Sequence, residues 1–193
     1  MIHASKVLVI VGSTRARRIG RDIADWVATV GAGAMTAEFE VVDLRDWPLP
    51  MDDEPLIPAA GDGYQNDHTR GWSAKIAEGD AFVFVTPQYN WGYPASLKNA
   101  LDHLYQEWSG KPAIIVSYGS QGGGRCAAQL RQVLDGLRMK PAPTMPGLHL
   151  GRERVVDNAG AIDAAAALEA HLAELRQAFL ELAEALGARQ AAV

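Results

Sequence analysis

Arg15, Arg17, Arg18 and Arg21 crowd the segment GSTRARRIG (Gly12–Gly20) and its edge, in a chain whose formal net charge is −5. Gly12 permits a sharp exit from a strand, and Ser13 and Thr14 offer hydroxyl and backbone donors just ahead of a helix. Cations at a helix N-terminus oppose the macrodipole, so four arginines gathered there point to a bound anion, for which a terminal phosphate fits best. The alternative is a solvated basic patch. A second segment, PQYNWGYP (Pro87–Pro94), frames three aromatics between two prolines. The prolines stiffen it, Tyr89, Trp91 and Tyr93 supply flat apolar area, and the amides of Gln88 and Asn90 can address the edge of a heterocycle. A planar ring suits this loop; aromatics that merely cap the core are the other reading. In the third segment, YGSQGGGR (Tyr118–Arg125), Gly119, Gly122, Gly123 and Gly124 let backbone approach a ligand without side-chain obstruction.

Several other chemistries fit poorly. Gly119 and Gly124 have Walker-A spacing, but Arg125 and Cys126 stand where lysine and a hydroxyl residue are required. Ser120 is not in a nucleophile elbow, because Tyr118 takes the position that needs glycine. The end of the first strand lacks the acidic cluster of a phospho-receiver domain. His103 and Glu107 share a helical face, yet no further ligand stands at metal spacing, so no metal site is expected. Cys126 is the only cysteine, which leaves no intrachain disulfide and fits a reducing cytosol.

The elements that position these segments follow from the apolar pattern. Continuous apolar runs at Lys6–Val11, Ala81–Thr86 and Ala113–Ser117, with Phe39–Leu44 and a short stretch at Leu148–Leu150, read as strands. Helical spacing predicts helices over Ile19–Val30, Gln65–Ala77, Pro94–Tyr105, Arg125–Leu137 and Asp163–Leu186. A loop holding Pro48, Pro50, Pro55 and Pro58 lies between Arg45 and Tyr64. Strands alternating with helices imply a parallel sheet covered on both faces, whose ligands bind beyond the carboxyl ends of the strands. The three segments follow strands one, three and four and therefore converge. In the last helix Leu168, Leu172, Leu175, Phe179, Leu182 and Leu186 form a stripe that either packs on the sheet or forms a seam between subunits. With 193 residues, 48% of them hydrophobic, one domain over 1–193 is expected. The acidic balance argues against nucleic acid and anionic membrane, and the first apolar run is too short for a signal or a span. A cytoplasmic location is the expectation.

At these residues the sequence closely resembles the NADPH-dependent FMN reductase family, which includes quinone and azo-dye reductases. The matching stretches are GSTRARRIG, TPQYNWGYPASLKNALDHLY (Thr86–Tyr105) and GKPAIIVSYGSQGGGRCAAQLR (Gly110–Arg131), within a resemblance covering about Lys6 to Leu150. It implies a flavodoxin-like three-layer sandwich with a five-stranded parallel sheet in the order 2-1-3-4-5. By position, it places an FMN phosphate against Gly12, Ser13, Thr14 and Arg15, with Arg18, Ile19 and Gly20 closing the loop. The isoalloxazine would lie against Pro87, Gln88, Tyr89, Asn90, Trp91 and Gly92, with Ser117, Tyr118, Gly119, Gly122 and Gly123 at its other end. A homodimer or homotetramer is implied, with NADPH or NADH as reductant and a flavin, quinone or similar acceptor as partner. FMN accepts hydride at N5, and fixed donors stabilise the charge that develops, so no dedicated catalytic residue is expected. One face serving donor and acceptor in turn predicts ping-pong kinetics. The competing function is an electron-transfer or flavin-carrier protein that oxidises nicotinamide slowly; the arginine-rich first loop favours the reductase.

Overall fold

The computed structural model describes residues 4–51, 54–61, 63–151, 153 and 161–190. Its elements run β1 (Lys6–Val11), α1 (Gly20–Ala34), β2 (Glu38–Asp43), α2 (Asp67–Ala77), β3 (Ala81–Pro87), α3 (Ala95–Asp102), β4 (Pro112–Gly119), α4 (Gly124–Gly136), β5 (Lys140–Pro141), β6 (Gly147–His149) and α5 (Leu172–Gln190). All strand pairings are parallel, in the order β2-β1-β3-β4-β5, with β6 also paired to β4.

Side chains of a strand alternate between faces, and here both faces are buried. Val7, Val9 and Val11 of β1 join Val83, Val85, Ile114 and Val116 beneath α1 and α5. Leu8 and Ile10 join Phe82, Phe84 and Ile115 beneath α2, α3 and α4. The continuous apolar runs of the sequence are this double burial, which gives the three-layer sandwich. Among the described residues, no helix is long and apolar enough to cross a membrane.

The boundaries shift in places. α1 continues four residues past Val30, and α3 stops at Asp102 rather than Tyr105. The short strand expected at Leu148–Leu150 is found at Gly147–His149, paired with Ser117–Gly119, and an unexpected strand, Lys140 and Pro141, precedes it and pairs with Pro112 and Ala113, giving six strands among the described residues. Pro141, Pro143 and Pro146 cannot donate to a ladder, which explains the interruption. The expected helix Asp163–Leu186 is broken as well. A helical turn, Ala164–Ala167, is capped by the Asp163 side chain accepting from Ala166 N–H, and a 3₁₀ turn at Glu169–His171 precedes α5. The break falls at Leu168, whose backbone leaves the helical region (φ −121°, ψ 12°) as its side chain enters the core. Most of the apolar stripe packs on the sheet: Leu168, Leu175, Phe179, Leu182 and Leu186 are buried, with Phe179 edge-on to Phe39, while Leu172 is only half-buried.

At the opposite end of the sheet from the glycine loop, Lys111 is buried, its Nζ donating to Ile76 O at 3.2 Å. Burial, reinforced by Arg189, pulls its pKa down to about 8 against the attraction of Asp80 and Glu107. Between about pH 8 and its ordinary value of 10.5, the unfolded chain holds a proton on this residue that the folded chain has released. Stability therefore rises with pH across that window. Lys111→Met is expected to raise the melting temperature at pH 7 and to flatten that rise. A variant that melts lower than wild type at pH 7 would show the ammonium to be stabilising there.

Candidate active site

The first loop leaves β1 at Gly12, whose N–H donates to Val85 O at 2.9 Å and whose carbonyl accepts from Ser96 Oγ at 2.7 Å. It is thereby tied to β3 and to the start of α3. Ser13 is buried, with Oγ 2.7 Å from Tyr89 Oη. The four arginines do not act as one group. Arg15 lays its guanidinium over the Tyr89 ring, 3.7 Å from the centroid. Arg21 pairs with Asp25 in solvent, and Arg17 is exposed. Arg18 is largely buried and ion-paired with Asp43 at the end of β2, while its Nη1 donates to Arg15 O at 3.4 Å. Its Nε is buried without an acceptor among the described residues.

The second loop is a tight turn. Tyr89 and Gly92 exchange backbone hydrogen bonds of 2.8 and 2.9 Å, with Asn90 (φ +48°) and Trp91 (φ +74°) between them. Positive φ at both central positions matches a type I′ turn, which favours asparagine first and glycine second. Tryptophan in the second position is strained, typically by about 1–3 kcal/mol. Its indole stays 63% exposed, held under the Arg125 guanidinium at 3.5 Å. Trp91→Gly is expected to raise stability by about 1 kcal/mol, checked by chemical denaturation. An unchanged or lowered midpoint would mean that the Arg125 contact offsets the backbone strain.

The third loop braces itself. Ser117 Oγ donates to Gly122 O at 2.7 Å, and Gly122 and Gly123 adopt φ of +72° and +79°. A Cβ on Gly123 would lie 2.9 Å from Ser117 Cβ. Gln88 joins this loop to the second, donating from N to Tyr118 O at 3.0 Å and accepting Cys126 N–H at Oε1 at 3.2 Å. Burial pushes the Cys126 thiol up to about 11, so it remains a thiol at neutral pH. Burial, followed by the nearby Tyr89, raises the Tyr118 hydroxyl well above the ordinary phenol value.

Ser13, Arg15, Arg18 and Ile19 from the first loop, Pro87–Asn90 from the second, and Tyr118 and Gly119 from the third enclose one cavity of about 250 Å³. Thr14 faces a different cavity, of about 260 Å³, bordered by Leu44, Trp47, Pro48 and Ser96. Gly12, Gly20, Ser117, Gly122 and Gly123 do not line the first cavity; they shape its walls. Trp91 and Gly92 stand at the outer turn. Asp43 was not anticipated from sequence; the available signal was an acidic residue at the end of the strand beside the arginine loop.

The pattern of the NADPH-dependent FMN reductase model matches residues 5–150 of the chain. The chain belongs to the NADPH-dependent FMN reductase family. As a member, it is an oxidoreductase that works with FMN and a nicotinamide nucleotide. An NAD(P)H-dependent FMN reductase of Schizosaccharomyces pombe is 54% identical over 180 residues, spanning 93% of this reductase and 89% of that protein. A quinone reductase of Pseudomonas putida is 32% identical over 78% of this chain and 80% of its own. Among solved structures, the flavoenzyme NAD(P)H:(acceptor) oxidoreductase FerB of Paracoccus denitrificans superposes with a TM-score of 0.66 at 21% identity. That alignment covers 92% of this reductase and 98% of FerB, and it shows the shared flavodoxin-like fold.

Proposed function

We propose that this reductase transfers two electrons from NADPH or NADH to a quinone, a free flavin or a similar small acceptor, with FMN held across the three loops. The observation that carries this reading is the convergence of the three loops on one cavity bordered by the two arginines Arg15 and Arg18. Fixed positive charge beside a partly closed cavity favours an anionic group of a ligand there. The donor set fits FMN. Ser13 and Arg15 would address its phosphate, with Arg18, Ile19 and Gly20 closing behind it, whereas the expected Thr14 faces the neighbouring cavity. Pro87, Gln88, Tyr89, Asn90, Trp91 and Gly92 would flank the ring. Tyr118 and Gly119 would meet its other end, on a loop whose shape Ser117, Gly122 and Gly123 maintain.

When bound, FMN supplies the two-electron chemistry, taking up hydride and giving it on. The protein's residues bind and orient. Arg15 and Arg18 offer fixed positive charge, Tyr118 holds its proton at Oη, and the tight turn at Asn90 and Trp91 fixes the shape of the second loop. The cavity is smaller than the roughly 300–1,000 Å³ that encloses a drug-sized ligand. Part of a flavin would therefore stand open to solvent, as a nicotinamide that must come within about 3–3.5 Å requires. Donor and acceptor use that opening in turn, so two-substrate kinetics are ping-pong; intersecting double-reciprocal lines would contradict this. The chain works as one domain, in the cytoplasm, with Cys126 reduced. Exposed Met51, Ile57 and Trp91 support association into a homodimer or homotetramer, measurable by light scattering.

The deciding experiment records the visible spectrum of the protein with FMN and mixes it anaerobically with NADPH and, separately, NADH. Rapid bleaching by either is expected. Slow bleaching of a flavin-loaded protein would identify an electron carrier instead, and a protein that takes up no FMN would overturn both functions.

A further inference from the structure

We propose that Asp43 is a positioning residue for Arg18, holding its guanidinium at the edge of the cavity for an anion that enters there. Asp43 is itself 4% exposed and fixed at both oxygens: Oδ1 accepts Arg45 N–H at 3.0 Å, and Oδ2 accepts from Arg18 Nη2. The first of these contacts caps the 3₁₀ turn Leu44–Asp46, so the carboxylate is anchored to backbone rather than to a mobile side chain. On the arginine, Nη2 goes to Asp43 and Nη1 to Arg15 O, which restrains the plane of the guanidinium from both sides. The side chain, tied in this way, borders the cavity. An arginine needed only for its charge has no use for this restraint. A planar fork tied through both outer nitrogens holds its other N–H groups in fixed directions, which an ammonium on a flexible stem cannot do. Ordering this side chain before the ligand arrives removes part of the entropy cost of binding.

This inference rests on the reading that the cavity takes the FMN phosphate, and riboflavin separates the two. Riboflavin has the same ring and ribityl chain without the phosphate, so the ratio of its dissociation constant to that of FMN reports the phosphate contact alone. Purified wild-type protein, D43N, R18K and the double variant are titrated with each flavin by fluorescence quenching, after thermal melts establish that they fold. Wild type prefers FMN. D43N and R18K each lose about tenfold of that preference with riboflavin affinity unchanged. The double variant loses no more than the worse single one, because the two residues act as a unit. A preference retained or increased in D43N, or losses that multiply in the double variant, would overturn the positioning role. Should D43N fail to fold, R18K decides: it keeps the charge and a partner for Asp43, and full preference in it overturns the proposal. Equal affinity of wild type for both flavins overturns the phosphate reading together with this one, whereas a wild-type preference untouched by the variants overturns only the positioning role.

Discussion

Alanine at position 20 weakens FMN binding and lowers the melting temperature, even though alanine is the better helix former. Gly20 opens α1, and a Cβ there would stand 2.5 Å from Tyr118 Oη and 3.6 Å from Val11 Cγ1. Helix propensity favours alanine by at most about 1 kcal/mol. The opposing term is larger. Tyr118 is 6% exposed and packed within the core cluster, so its ring has little room to retreat, and overpacking of this kind costs about 1–3 kcal/mol. Because Tyr118 also walls the cavity, its displacement changes the site directly, and FMN affinity should fall on the order of tenfold or more. Melts and FMN titrations of Gly20→Ala check both effects. Wild-type affinity in this variant would mean that the Tyr118 ring is free to swing away without cost.

Trp108→Ala has the opposite profile, a large loss of stability with little change in FMN binding. Trp108 is 1% exposed and lies against Phe82 (centroids 4.9 Å apart), Phe84 (6.0 Å) and Trp72 (6.4 Å). Truncating a buried tryptophan to alanine costs about 3–5 kcal/mol. For a chain of this length that corresponds to a fall in melting temperature on the order of 10 °C. Its indole N–H donates to Leu101 O at 3.1 Å, but that carbonyl also accepts Leu104 N–H, so the deletion leaves no buried acceptor unmatched. The contact with Phe82, near the start of β3, lies at the far end of the strand from the loop that begins at Pro87. FMN affinity measured well below the melt should therefore match wild type. A parallel loss of binding would show that packing at the two ends of the sheet is coupled.

The fold was legible where burial alone sets the pattern. Runs such as KVLVIV and AFVFVT have no polar face because helices cover both sides of the sheet, and a parallel sheet then brings the ends of strands one, three and four together. The interruptions were less legible, because they depend on neighbours. The prolines between β5 and β6 are visible in sequence, but which hydrogen bonds they forgo depends on register with β4. The break at Leu168 answers to packing on the sheet, which helical spacing does not contain. In the site, the helix dipole marks the arginines as a group and does not distinguish one from another. Their separate fates depend on Tyr89, Asp25 and Asp43, and Asp43 lies 25 positions from Arg18. Only the pairing of Val11 with Asp43 between β1 and β2 brings that carboxylate beside the loop.

The two rims of the sheet carry a further consequence. On one side, β2 presents Glu38 and Glu40, the latter held by Lys6 and Lys75. On the other, the run from Pro141 to Pro146 denies a flat row of donors. Charge on one rim and proline on the other are features that prevent a foreign strand from extending a sheet. A chain with so many β-branched apolar residues in its strands is thereby protected from templating fibrils through its own edges. Copies that meet are left to do so through helix faces and loops.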